Sequence, residues 1–157
     1  MLKSEFCGEF NNTLDEKGRI MIPVKLKTAI YGNTLILTKG VDKCLWLFPV
    51  DEWKKLTQQI MSNTSIFLEK SRIFLRKIIA PAHEVEIDKA GRMIIKQELR
   101  EFAGLKKECV ILGINNYIEI WDKEVYQEYR EENKADLNNA AEEIGQIVAN
   151  AKAKEQN

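Results

Sequence analysis

The sequence predicts an α+β, β-rich fold in which two pseudo-symmetric units interleave into one β-barrel-like core, with connecting helices and a C-terminal helical tail. One stretch of the chain occurs twice. Each copy places short β-branched runs between turn signals. The segments after each copy carry helical rather than strand spacing.

The repeat organises everything else. Leu14-Asp15-Glu16-Lys17-Gly18-Arg19-Ile20-Met21-Ile22 returns as Ile87-Asp88-Lys89-Ala90-Gly91-Arg92-Met93-Ile94-Ile95. At the same offset Leu26-Lys27 meets Leu99-Arg100, and Leu45, Leu47, Phe48 and Trp53 meet Ile118, Ile120, Trp121 and Tyr126. Leu35-Ile36-Leu37 pairs with Val110-Ile111-Leu112 after a slip of two residues. In each copy a strand (9–14 or 85–87) enters an Asp-x-x-Gly-Arg turn, and a β-branched strand (20–22 or 93–95) leaves it. A helical turn follows, started at Pro23 in copy one and stopped at Gly104 in copy two. Two further strands, 34–38 and 45–48 or 109–113 and 117–121, close each unit. Neither copy has enough strands to form a barrel alone, so the two are expected to interleave.

Between the copies, residues 51–79 read as two helices broken at Ser62-Asn63-Thr64. Trp53, Leu56 and Ile60 share one face of the first; Phe67, Phe74 and Ile78 are near helical spacing in the second. Glu69, Arg72 and Arg76 lie on its opposite face, either a solvated surface or a subunit or phosphate contact. From Lys123 onward the chain is acidic and helix-forming, and Leu137, Ala141, Ile144 and Val148 make a short heptad-like seam. The resulting organisation is repeat one over 5–52, a helical linker over 53–80, repeat two over 81–126 and an acidic helical tail over 127–157.

The 157 residues, 45% hydrophobic and 31% charged, suit an ordinary globular protein with a real core. No apolar run approaches the ~20 residues of a membrane-spanning helix. The first residues lack the apolar core of a secretory signal, so a cytoplasmic location is expected. Three well-separated cysteines, Cys7, Cys44 and Cys109, fit neither a disulfide framework nor a zinc site and read as small buried hydrophobes. With one histidine, His83, metal clusters of histidines and Ser-His-Asp triads are excluded; His83 reads as structural. Trp46, Trp53 and Trp121 read as core or interface anchors.

Net charge is zero, with 24 basic and 24 acidic residues, but phosphates respond to local surface. Residues 17–41 hold Lys17, Arg19, Lys25, Lys27 and Lys39 and no acid. Residues 89–107 hold six basic residues against Glu98 and Glu101, and residues 122–143 carry eight acids against three bases. A basic front and an acidic tail hide inside the neutral total.

The duplicated Asp-x-x-Gly-Arg motif carries the chemistry. Gly18 and Gly91 permit the positive φ of a sharp reversal. Asp15 and Asp88 can accept backbone N–H bonds across the turn. Arg19 and Arg92 then leave an exposed turn, where a planar guanidinium matches the O6 and N7 acceptors of guanine, or a phosphate. Lys17, Lys25, Lys27, Lys89 and Lys96 suit phosphate contacts, which position a protein without reading sequence. The competing local role for each arginine is an ion pair with its own aspartate that locks the hairpin.

Glu9-x₄-Leu14-Asp15-x-Lys17-Gly18-Arg19-Ile20-x-Ile22-Pro23 closely resembles the N-terminal signature of the MraZ family of bacterial transcriptional regulators. The second half agrees through Glu84-Val85-Glu86-Ile87-Asp88-x-x-Gly91-Arg92, Leu99-Arg100-x-x-Ala103-Gly104-Leu105 and Ile118-Glu119-Ile120-Trp121-Asp122. The resemblance covers about residues 1–130. It implies two SpoVT-AbrB-like units, ring-shaped homo-oligomers, and binding to direct repeats of double-stranded DNA in the promoter of the division and cell-wall gene cluster. It further implies a cytoplasmic, nucleoid-associated protein that represses its own operon. The family's DNA-contacting arginines map onto Arg19 and Arg92. Two positions depart from the pattern: Lys27 stands where the family usually has arginine, and Lys96 where the second copy usually has proline. Lysine lacks the fork, so Lys27 suits a phosphate better than a base, and Lys96 removes a pre-set helix start and should loosen copy two.

No cofactor, metal, membrane or small-molecule substrate is expected, and no Walker or dinucleotide glycine pattern is present. A catalytic alternative would make Asp15 and Asp88 a proton-sharing carboxylate dyad, but an arginine beside each would hold both ionised. An oligomeric scaffold that does not bind DNA is the remaining alternative, favoured by the acidic tail and zero net charge.

Overall fold

The computed structural model describes residues 5–157. Copy one contributes β1 (Phe6–Thr13), β2 (Arg19–Met21), α1 (Val24–Lys27), β3 (Thr34–Lys39) and β4 (Leu45–Pro49). Next come α2 (Val50–Asn63) and α3 (Glu69–Phe74), the latter running into a π-helical turn (Leu75–Ile79). Copy two repeats the order with β5 (His83–Glu86), β6 (Arg92–Ile94), α4 (Gln97–Ala103), β7 (Glu108–Asn115) and β8 (Tyr117–Asp122). After these come α5 (Lys123–Glu132), a 3-10 turn (Lys134–Asp136) and α6 (Leu137–Glu155).

The copies exchange strands. One antiparallel sheet runs β1-β7-β8-β4-β3-β5, and a two-stranded ribbon pairs β2 with β6. Among the described residues the first strand of each copy thus pairs with the third strand of the other: β1 with β7, β5 with β3. At the centre β4 meets β8 with Trp46 opposite Glu119, positions equivalent in the repeat, and the indole N–H donates to the Glu119 carboxylate at 3.2 Å. The ribbon is centred the same way on Ile20 opposite Met93. Both seams therefore lie on one pseudo-twofold relation between the copies.

The sheet is not closed among the described residues, so the barrel-like core expected from sequence is not borne out. Among the described residues β1 and β5 each pair along one side only, and the next strands of both copies leave to pair with each other in the ribbon. The core is nonetheless single. Ile20, Ile22, Leu26, Leu35 and Leu37 of copy one pack with Met93, Ile95, Leu99, Ile111 and Ile118 of copy two in one buried cluster. Side chains on alternate strand residues face it, and the apolar area they remove from water is contributed by both copies.

On the far side of β3 the linker covers the sheet. The buried Thr38 hydroxyl donates to the Ile78 carbonyl, and Ile78 is 1% exposed. Trp53 of α2 packs on Phe48 with ring centroids 5.3 Å apart. Phe67 does not join a helical face as its spacing suggests. Leu68 is extended, α3 begins only at Glu69, and Phe67 stands 88% exposed between Ile66 and Leu68, also exposed. Arg72 Nη1 donates to the Ile66 carbonyl at 2.9 Å and fixes this turn.

Lys96 takes the helix-start position without proline's ring. Its backbone (φ −57°, ψ 146°) matches that of Pro23 (φ −54°, ψ 135°). Helix α4 has seven residues against four in α1, and Gly104 ends it at φ +63°. Cys44 and Cys109 are buried, as expected of small hydrophobes, but Cys7 is exposed, because its neighbour Phe6 takes the inward position of β1. Trp121 is 2% exposed, and His83 opens β5 with Nδ1 3.1 Å from the Pro81 carbonyl.

The chain divides into two compact units, one through Val125 and one from Tyr126 to Asn157. In the second, Leu137, Ile144 and Val148 of the expected seam all lie on α6 and are exposed. Among the described residues no helix is long and apolar enough to cross a membrane.

Candidate nucleic-acid interface

Each Asp-x-x-Gly-Arg segment builds the same turn. Asp15 Oδ1 accepts from the N–H of Lys17 at 2.9 Å and of Arg19 at 2.8 Å. Asp88 Oδ1 accepts from Ala90 at 2.9 Å and Arg92 at 3.0 Å. Gly18 and Gly91 close the turns at φ +78° and +83°, where a side chain would be strained. The N–H of each glycine donates back to the carbonyl of its aspartate.

These bonds also set the acids' ionisation. The Arg19 N–H, then its guanidinium and the Lys17 N–H, hold the Asp15 carboxyl below the ordinary 3.8, outweighing partial desolvation. The Arg92 N–H does the same for Asp88, helped by the Ala90 N–H and the charges of Arg92 and Arg19. Both acids are carboxylates at neutral pH, so they cannot share a proton as a catalytic dyad does.

The ion pair between each arginine and its own aspartate is present, but unequally. Arg19 Nε donates to Asp15 Oδ2 at 2.8 Å. Arg92 Nε lies 3.5 Å from Asp88 Oδ2 without a hydrogen bond and is buried with no other partner among the described residues. In both cases the approach to the aspartate is made by Nε. The two side chains remain 27% and 34% exposed, and the pair orients each guanidinium rather than sealing it.

The ribbon places both arginines on one face. Arg19 pairs with Ile94, Ile20 with Met93 and Met21 with Arg92. Ile20 and Met93 are 0% and 1% exposed, so the alternating positions Arg19, Met21, Arg92 and Ile94 point away from the core. Each strand is then tied to the other copy's turn: Ile22 N–H donates to the Gly91 carbonyl at 2.9 Å, and Ile95 N–H to the Gly18 carbonyl at 2.8 Å. The two turns are one mechanical unit.

Lys17, Lys25, Lys89 and Lys96 are exposed and Lys27 is half-buried. Lys27 reaches the other copy's turn, its Nζ 3.6 Å from where a Cβ on Gly91 would stand. The equivalent residue of copy two, Arg100, crosses the other way. Its guanidinium lies 2.9 Å from a Cβ placed on Gly18. Arg100 is the site residue that sequence reasoning missed. The signal was its alignment with Lys27 in the repeat. Among the described residues no group of acids, cysteines and histidine could hold a metal ion.

Comparison with known proteins agrees with this duplicated arrangement. The family model described as "MraZ protein, putative antitoxin-like" matches twice, over residues 6–77 and 78–146, the same two copies. The chain is 49% identical over 140 residues to the transcriptional regulator MraZ of Treponema denticola, covering 89% of this chain and 97% of the relative. It is 42% identical over 144 residues to the transcriptional regulator MraZ of Treponema pallidum strain Nichols, covering 92% and 97%. With both repeats matched and relatives aligned over nearly their whole length, the chain belongs to the MraZ family.

Proposed function

We propose that this protein is a sequence-specific DNA-binding regulator of transcription that reads direct repeats in a promoter through its twin Asp-x-x-Gly-Arg turns. The observation that carries this reading is the ribbon: Arg19 and Arg92 share its outward face, each within ion-pair distance of its own aspartate and each partly exposed. A two-stranded ribbon fits the major groove of B-DNA, and an oriented guanidinium fork suits guanine O6 and N7. In this reading Lys17, Lys25, Lys27, Lys89 and Lys96 contact phosphates, while Asp15, Gly18, Asp88 and Gly91 shape the turns. The relatives carry the name of a regulator and not of an enzyme, which agrees.

The finer assignments follow the family resemblance. The protein represses its own division and cell-wall operon, works in the cytoplasm with the nucleoid, and assembles as a ring. Assembly is supported by the contiguous exposure of Ile66, Phe67 and Leu68, apolar residues that a neighbouring copy would cover. Titrating DNA from upstream of the protein's own gene at several salt concentrations tests the reading. A regulator gives a steep negative log–log slope and prefers repeated sites over scrambled DNA. Equal, weak binding to both would leave an oligomeric scaffold instead.

A further inference from the structure

The outward face of the ribbon is half apolar. Met21 is 47% exposed and Ile94 61% exposed, and each stands directly opposite an arginine: Met21 across from Arg92, Ile94 across from Arg19. No acidic residue lies in either strand, and exposed lysines stand in the flanking segments. Partner residues in an antiparallel pair have Cβ atoms about 5 Å apart. Successive base pairs rise ~3.4 Å, so such a pair of side chains spans neighbouring steps of one groove.

Resting on the proposed DNA reading, we infer that Met21 and Ile94 are specificity-determining residues that contact the 5-methyl group of a pyrimidine beside the guanine read by the facing arginine. In the major groove that methyl is the one apolar feature of a base edge. An arginine fork without such a neighbour would accept guanine in any context. An apolar side chain held beside it adds preference for the adjoining base. The two copies would not read identically, because the flexible thioether of Met21 adapts where the β-branched Ile94 is stiff. Tolerance of the neighbouring base should be broader at the half-site facing Met21.

The test starts from sites selected by the wild-type protein out of a random duplex library. Single thymines are then replaced by deoxyuridine, which removes only the methyl group. Loss of one contacted methyl should weaken wild-type binding about fourfold at a position next to the required guanine. Ile94→Ala and Met21→Ala, whose exposed positions leave the core intact, should each bind thymine and uracil equally at one half-site and keep the guanine requirement. The inference is overturned if the wild type is indifferent to every methyl, or if both variants keep the wild-type thymine preference. A changed oligomeric mass with unchanged methyl preference would also overturn it, giving this face to a second copy. Failure of the selection to yield any sequence would instead sink the DNA reading itself.

Discussion

The N–H of Ile95 donates to the carbonyl of Gly18 at 2.8 Å, bonding the strand of one repeat to the turn of the other. Its mirror, Ile22 N–H to Gly91, is 2.9 Å. Together with the exchanged first strands, these bonds make each repeat dependent on the other for its edge and its turn.

A single repeat should therefore not fold. A fragment of residues 5–80 lacks β7, the partner of β1 among the described residues, and half of the shared core. Its circular dichroism should be that of a largely unfolded chain. Mixing it with residues 81–157 should restore structure. A cooperative thermal transition in either fragment alone would show that the repeats are independent.

Leu37 is fully buried on β3, inside the core both copies share. Leu37→Ala should lower stability by about 2–5 kcal/mol in urea unfolding, with one transition reported by both fluorescence and circular dichroism. Two separated transitions would contradict a common core.

Gly18 and Gly91 sit at positive φ, where alanine costs about 1–2 kcal/mol. Gly18→Ala must also push aside the Arg100 guanidinium, a flexible end 2.9 Å from the new methyl, whereas Gly91→Ala meets Lys27 only at 3.6 Å. The two should lose similar stability, while Gly18→Ala disturbs DNA binding more. Equal binding by both would remove Arg100 from the site.

Asp15 and Asp88 have folded-state pKa values depressed below the ordinary 3.8. For depressed carboxylates the contribution to stability is full above the unfolded value and fades as pH falls through the folded one. Melting temperature should thus be insensitive to these residues' ionisation at neutral pH and drop below about pH 4. Asp15→Asn should melt lower at pH 7 and show a shallower acid limb. An unaltered acid limb would mean that the turn does not depend on the charge.

Much of this was legible beforehand because it is local or duplicated. Asp15-x-x-Gly18-Arg19 fixes its turn within five residues, and its second occurrence announced the pseudo-symmetry. What was not legible depends on through-space choices. Closure into a barrel depends on whether β1 and β5 find partners on their outer sides, and among the described residues β2 and β6 pair with each other instead. Cys7 is exposed because the inward place on β1 belongs to Phe6. Phe67 left its helical face because the chain turns between Ser65 and Leu68, and α3 begins only at Glu69. Arg100 reaches the turn of the opposite copy, which no spacing within one repeat encodes.

The most direct measurement compares wild type, Arg19→Ala and Lys25→Ala on the promoter repeat and on scrambled DNA across a salt series. Arg19→Ala should lose roughly 1–3 kcal/mol of affinity for the repeat and little for scrambled DNA. Lys25→Ala should weaken both about equally and flatten the salt slope by about one unit. If a folded Arg19→Ala protein binds the repeat as tightly as wild type, the turns do not read DNA and the proposed function is wrong.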